Sequence, residues 1–273
     1  DQVDALERLG ISATFLASTL DGAEMARRLD QLESGALQMI YVAPERLVFA
    51  RFREILRRIE CPLFAIDEAH CISEWGHDFR PEYRRLTEVR RRLPEAVCLA
   101  VTATATERVR EDIKRSLDIP DAGEHIASFN RENLFLSVEP KTSILAQTLA
   151  FLADHKEESG IIYCATRKQV DELAAQLQGH GWDALPYHAG LDSATRATHQ
   201  RRFSRDDTPI IVATVAFGMG INKSNVRFIL HVDLPKNLES YYQQIGRAGR
   251  DGLRADCLLL YSYGDVNTIN YFI

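Results

Sequence analysis

A chain of 273 residues that is 45% hydrophobic and 26% charged can bury the cores of two ordinary domains, which excludes a disordered tail or a small disulfide-stapled module. A formal net charge of −6 gives no overall pull toward a nucleic-acid backbone, although a basic patch acts through its local field whatever the total. The five cysteines (Cys61, Cys71, Cys98, Cys164, Cys257) are scattered and fit no zinc spacing. Several lie in apolar, strand-like runs and read as small buried hydrophobes in a reducing compartment. No signal peptide and no apolar run long enough to span a membrane is found, so the expected location is the cytoplasm or nucleoid.

The first residues, to Ile11, read as a helix closed by Gly10. A strand near Ala13 to Ala17 follows, then a helix from about Gly22 to Glu33 and a strand from Gln38 to Val42. That strand leads into Ala43-Pro44-Glu45-Arg46-Leu47, which in isolation is an ordinary helix start. Pro62 to Ile66 has the length and composition of a strand buried on both faces. It ends on two adjacent carboxylates, Asp67 and Glu68. Ligands of open α/β sheets collect at the carboxyl ends of strands, so this pair is placed to hold Mg²⁺ and to orient a water. A solvated Asp-Glu turn would account for the same two residues. The sequel separates the readings. Trp75, His77, Phe79, Arg80 and Tyr83 crowd the next loop, and rings beside a guanidinium suit stacking on unpaired bases.

Pro81 to Leu93 predicts a helix with Leu86, Val89 and Leu93 on one face and most of its arginines in solvent. A strand from Val97 to Val101 ends beside Thr102 and Thr104, which serve either as helix caps or as a relay between nucleotide and nucleic acid. A helix to Leu117 follows. The pattern weakens from Pro120 to about Pro140, and the domain boundary is expected at Asn133, giving residues 1–133 and 134–273. The second part alternates again: helix Ser143 to His155, strand Gly160 to Cys164, helix Arg167 to Gly179, strand Asp183 to Tyr187, helix Ser193 to Phe203. Strands Pro209 to Ala213 and Val226 to His231, helix Leu238 to Ile245 and strand Asp256 to Tyr261 complete it. Such alternation predicts parallel sheets covered on both sides, and two lobes in tandem place a nucleotide cleft between them.

The last informative segment is Tyr241-Tyr-Gln-Gln-Ile-Gly-Arg-Ala-Gly-Arg-Asp-Gly252. Spacings of four and three put Gln243, Arg247 and Arg250 on roughly one side of a helix. Gly246 and Gly249 let the backbone approach a phosphate, and two arginines there suit the charge of a transferring phosphoryl group. Upstream, Thr214 closes an apolar strand, and the turn with Gly218, Gly220 and Asn222 can offer N–H groups to phosphate oxygens.

Asp67-Glu-Ala-His70 followed by Cys-Ile-Ser-Glu-Trp-Gly-His-Asp-Phe-Arg-Pro resembles the RecQ family of superfamily 2 DNA helicases. The Gln-x-x-Gly-Arg-x-Gly-Arg segment with Asp251-Gly252 resembles that family's last helicase motif. The resemblance implies two tandem RecA-like α/β lobes, ATP and Mg²⁺ as cofactors, single-stranded DNA and duplex junctions as partners, and 3′→5′ unwinding. It implies that Asp67 holds Mg²⁺, Glu68 activates water, and His70 and Gln243 sense the nucleotide. Arg247 and Arg250 reach its phosphates, with Arg250 the finger. Trp75, His77, Phe79 and Arg80 report bound DNA, and Pro44, Glu45, Thr102, Thr104, Arg167, His188 and Thr214 fall in segments that touch DNA or relay its binding.

One expected feature is missing. Gly-x₄-Gly-Lys-Ser/Thr, which cradles phosphates, does not occur; Lys141-Thr142 and Lys223-Ser224 lack its glycines. By this reading the first lobe is N-terminally truncated, zinc-binding and winged-helix regions are expected downstream, and the 273 residues alone are expected to be inactive. The alternatives are a nucleic-acid-binding fragment and a DNA translocase that does not unwind.

Overall fold

The computed structural model describes residues 2–18, 20–76, 79–128, 130–218, 221 and 223–265. They form two compact units, Asp1–Ile126 and Ala127–Ile273. The division falls before Asn133 for a physical reason. Arg131 and Asn133 both donate to carbonyls at Gly249, so the connecting segment is hydrogen-bonded into the second unit.

The first unit runs α1 (Gln2–Arg8), β1 (Ala13–Leu16), α2 (Gly22–Glu33), β2 (Met39–Val42), a 3-10 turn (Pro44–Val48), α3 (Ala50–Ile55) and β3 (Leu63–Ile66). It continues with 3-10 turns at Ala69–Ile72 and Pro81–Arg85, then α4 (Leu86–Arg92), β4 (Val97–Ala100) and α5 (Glu107–Ser116). Helix starts follow the side chains: Asp21 caps α2 by accepting from the Glu24 N–H (2.8 Å), and Thr106 caps α5 through the Val109 N–H. Residues 81–93, expected as one helix, begin as a 3-10 turn at Pro81 and become α-helical only at Leu86.

Two parallel strand pairs, β1–β2 and β3–β4, make up the strand content of this unit among the described residues. Leu16, Leu32, Ile55, Ile66, Ile72, Val89, Ile113 and Leu117 share one core beneath them. The expectation that β3 is buried on both faces fails. Only Ile66 is buried, while Leu63 is 53% exposed and Val97 on β4 is 67% exposed. Helices pack on one side of this pair, and the period-2 alternation sends the other side chains outward.

The second unit contains β5 (Leu134–Pro140), α6 (Ile144–Ala153), β6 (Ser159–Tyr163), α7 (Arg167–Gly179) and β7 (Ala184–Tyr187). After them come α8 (Ser193–Ser204), β8 (Ile210–Ala213), β9 (Val226–His231), α9 (Leu238–Ile245) and β10 (Ala255–Tyr261). Among the described residues its six strands are all parallel, in the order β5-β10-β9-β6-β8-β7. Alternate residues feed opposite faces. Ile162, Val212, Phe228 and Leu230 meet Leu152 of α6 and Leu173 and Leu177 of α7. Ile161, Ile211 and Ile229 meet Phe203 of α8 and Ile245 of α9. This is the doubly covered parallel sheet that the alternation predicts. Gly160 sits flush against a buried ring, since a Cβ there would lie 2.1 Å from Phe228.

Candidate functional site

In the first unit the site begins where the β3–β4 ladder ends. Val101 donates to the Ile66 carbonyl (2.9 Å), and Ala69 donates back to Val101 (3.0 Å), so the Asp67-Glu68 turn is stitched beside Thr102. The Asp67 carboxylate accepts from the Glu68 N–H at 2.8 Å. Glu68 has φ +50°, in the left-handed region that few non-glycine residues occupy, before the chain tightens into the Ala69–Ile72 turn. Strain of this kind concentrates where a side chain must be aimed.

His70 is only 2% exposed. Its Nδ1 lies 2.7 Å from Thr102 Oγ and 3.3 Å from Glu68 Oε2. The Thr102 hydroxyl donates its single proton to the Thr104 carbonyl (3.1 Å), so toward His70 it accepts, and Nδ1 carries the hydrogen. One N–H thereby addresses both the acid turn and the end of β4. Burial raises the pKa of the Tyr83 hydroxyl, with the charges of Glu68 and Asp67 among the further causes. Thr104 Oγ is buried and unpartnered among the described residues.

The aromatic loop leaves this turn directly. Gly76 has no room for a side chain, because a Cβ would lie 2.4 Å from the His70 carbonyl oxygen. Trp75 is 58% exposed. Phe79 is half-buried beneath the Arg84 guanidinium (5.2 Å), and Arg84 also pairs with Glu74 at 2.8 Å. Arg80 is exposed, with its N–H on the Cys71 carbonyl (3.0 Å). The Pro44–Val48 turn packs against the Pro81–Arg85 turn, which brings Pro44 and exposed Glu45 toward the far end of the same loop. His77 lies outside the described residues.

Mg²⁺ takes hard oxygen donors, commonly one or two carboxylates together with substrate phosphates. Among the described residues no group of three or more His, Cys, Asp or Glu could hold a metal ion. The adjacent Asp67 and Glu68 thus fit Mg²⁺ only in the company of phosphate oxygens.

In the second unit, Asn237 caps α9 through the Ser240 N–H (2.7 Å), and the helix ends at Ile245 with Gly246 as its C-cap. Arg247 and Arg250 therefore lie beyond the helix, and helical spacing does not align them with Gln243. They converge for another reason. Arg247 donates to the Gly218 carbonyl and Arg250 to the Ile221 carbonyl (2.9 Å), both on the segment after β8. A Cβ on Gly218 would fall 2.4 Å from the Arg247 guanidinium, so a side chain there would displace that group from its present place. Arg131, absent from the sequence reading, donates to the carbonyls of Gly246, Ala248 and Gly249 (3.4, 3.1 and 2.6 Å) and holds the turn that carries both arginines. Burial, then the nearby Arg247 and Arg131 charges, lowers the Arg250 pKa. The Arg250 guanidinium thus sits in the field of two further arginines, each held by backbone carbonyls. Gly220 and Asn222 lie outside the described residues.

Arg167, exposed at the start of α7, and Thr214, just past β8, stand at carboxyl ends of parallel strands. His188 is buried with both nitrogens engaged: Nδ1 accepts from the Gly190 N–H (3.1 Å) and Nε2 faces Asp171 (3.0 Å). Its ring shapes the loop rather than facing solvent. His231 and Gln244 were also missed; His231 Nε2 lies 2.7 Å from Gln244 Oε1 and ties β9 to α9. Nothing in the sequence marks them, since a histidine ending an apolar strand reads as core.

Two parallel α/β units, one with an acid pair at a strand end and the other with clustered arginines, define a RecA-like helicase core, and comparison agrees. Residues 1–113 match the DEAD/DEAH box helicase family and residues 140–252 the helicase conserved C-terminal domain. The chain belongs to the RecQ family of helicases. It is 46% identical over 277 residues to the ATP-dependent DNA helicase RecQ of Bacillus subtilis, covering 100% of this chain and 46% of that protein. It is 44% identical to the RecQ of Haemophilus influenzae, covering 97% of this chain and 43% of the relative. The chain thus spans less than half the length of these relatives. A solved structure of Saccharomyces cerevisiae Dbp5 shares the fold at 18% identity and TM-score 0.71, covering 99% of this chain and 70% of that one. Among the described residues no helix is long and apolar enough to cross a membrane.

Proposed function

We propose that the protein is an ATP-driven DNA helicase in which the first unit senses DNA at the aromatic loop and relays it to the acids. The observation that carries this is the continuity of Glu68, His70 and Thr102 with the adjoining loop, on which Trp75 is exposed and Phe79 half-buried. Asp67 would hold Mg²⁺ on nucleotide phosphates, where the ion neutralises developing charge. Glu68 would orient the attacking water and take its proton, with His70 fixing the carboxylate. Gln243 and Arg247 would sense the phosphates and Arg250 would meet the charge that grows on them. Gly218, Gly220 and Asn222 would shape the segment to which the arginines are tethered. Trp75, His77, Phe79 and Arg80 would take unpaired bases, supported by Pro44, Glu45, Thr104, Arg167 and Thr214 along the strand, with His188 holding the shape of its own loop. The work is done in the cytoplasm, on nucleoid DNA.

The test is ATP turnover with and without single-stranded DNA, beside a strand-displacement assay. The protein is taken at the length of its relatives, because these 273 residues contain no Gly-Lys-Ser/Thr cradle. DNA-stimulated turnover abolished by Glu68→Gln, together with displacement of a paired strand, is expected. Turnover indifferent to DNA would refute the reading.

A further inference from the structure

Trp75 carries a partner that the sequence does not advertise. The Arg108 guanidinium carbon lies 3.2 Å from the centroid of its ring. The indole is nonetheless 58% exposed, so one face is covered while much of the ring stays open. The two residues sit on unequal supports. Trp75 belongs to a loop; Arg108 is in the first turn of α5, whose start is capped by Thr106 and whose Val109 and Ile113 are buried. Helix α5 in turn packs on the Ala69–Ile72 turn that follows the acids. Among the described residues Arg108 makes no ion pair, unlike Arg84, which backs Phe79 while bound to Glu74. An arginine serving only a solvated face would have no cause to lie on a ring; a guanidinium over an indole is attracted by the ring's quadrupole.

We infer that Arg108 is a positioning residue, which holds the indole of Trp75 with its free face presented to an unpaired base. The inference rests on the reading of the aromatic loop as a DNA contact and adds a residue to it. A base arriving on the open face completes a stack of guanidinium, indole and base, and both the base and the cation are then served by one ring. Holding the ring beforehand removes part of the ordering that binding would otherwise require.

The experiment uses these 273 residues with Trp182→Phe, which leaves Trp75 as the one tryptophan of the two. Quenching of its fluorescence by acrylamide, and by titration with oligothymidylate, is compared for the parent, Arg108→Ala and Arg108→Lys. Arg108→Ala should raise acrylamide quenching and weaken the oligothymidylate complex by about two- to fivefold, the size of an exposed cation–π contact. The slope of log affinity against log salt should not change, and Arg108→Lys should recover part of the loss. Unchanged affinity and quenching in Arg108→Ala would overturn the inference. So would a salt slope reduced by about 1, which would make Arg108 a phosphate ligand instead. If oligothymidylate leaves the parent's Trp75 signal untouched, the DNA reading of the loop fails and takes this inference with it. A responsive parent with an indifferent Arg108→Ala sinks the inference alone.

Discussion

His70 Nδ1 and Thr102 Oγ are 2.7 Å apart, and through this contact the acid turn after β3 is joined to the end of β4. The hydroxyl is already committed as a donor to the Thr104 carbonyl, so it stands as a fixed acceptor for the imidazole. Thr102→Val keeps the shape and removes that acceptor. His70, which is buried, is then left with a poorer set of partners, and the first unit should lose about 1 kcal/mol of stability. DNA-stimulated turnover should fall more than basal turnover. Urea midpoints and the two rates decide it; identical rates in a destabilised variant would reduce the contact to packing.

Trp75→Ala or Phe79→Ala should likewise cut DNA-stimulated turnover more than basal turnover. Each base stacked on an aromatic ring is worth about 1–3 kcal/mol, and both rings belong to the loop that springs from the acid turn. Equal loss of both rates with broadened unfolding would assign these rings to the core. The exposure of Trp75 argues against that outcome.

With Arg250 as the proposed finger, Arg250→Ala should lower turnover by about 10³ or more with little change in ATP affinity, because such a group acts mainly on transition-state charge. Single-turnover rates beside nucleotide titrations separate the two effects. Unaltered turnover would remove Arg250 from the chemistry.

Gly218→Ala makes a complementary prediction without removing any charge. Its Cβ would occupy space now held by the Arg247 guanidinium. The expected result is a folded second unit with impaired turnover, read by circular dichroism and the same kinetic assay. Full activity would show that the tether between Arg247 and the Gly218 carbonyl is incidental.

How much of this was legible beforehand follows from what each signal depends on. The alternation of β6, β8 and β9 with their helices is strong because those strands are buried on both faces and read as unbroken apolar runs. Strand β5 escaped notice: its side chains are mostly exposed, so nothing in its composition enforces a period. The acid pair and the aromatic loop announce themselves because their chemistry is local in sequence. Arg131 and Arg108 do not, since each acts on residues far along the chain or across a turn, and an isolated arginine has no pattern. For the same reason Arg247 and Arg250 stand out in the sequence by their spacing to Gln243 and the glycines, while the contact that brings them together, with the carbonyls of Gly218 and Ile221, has no sequence signal.

Acid should weaken the second unit through His231. Its ring is buried, stacked on Tyr163 at 5.2 Å, and its Nε2 faces the side-chain oxygen of Gln244, so Nε2 carries the hydrogen. Nδ1 is then an unprotonated nitrogen with no partner among the described residues, and protonating it would bury a charge. Burial accordingly lowers the pKa from the ordinary 6.5 to about 4, against the smaller upward effect of the Gln244 hydrogen bond. A base whose folded pKa lies below its unfolded one stabilises the fold when neutral. Its contribution is complete above about pH 6.5 and is lost as pH falls toward about 4, a total of about 3 kcal/mol. The window lies mostly above the range in which the lowered surface carboxylates titrate, so the two losses can be told apart. Trp182 packs against the second unit's core and reports its unfolding. Urea midpoints followed by its fluorescence should drop between pH 6.5 and 4.5 in the parent, and His231→Phe should flatten that drop even if it unfolds earlier at neutral pH. An equal acid slope in the variant would place the titrating group elsewhere.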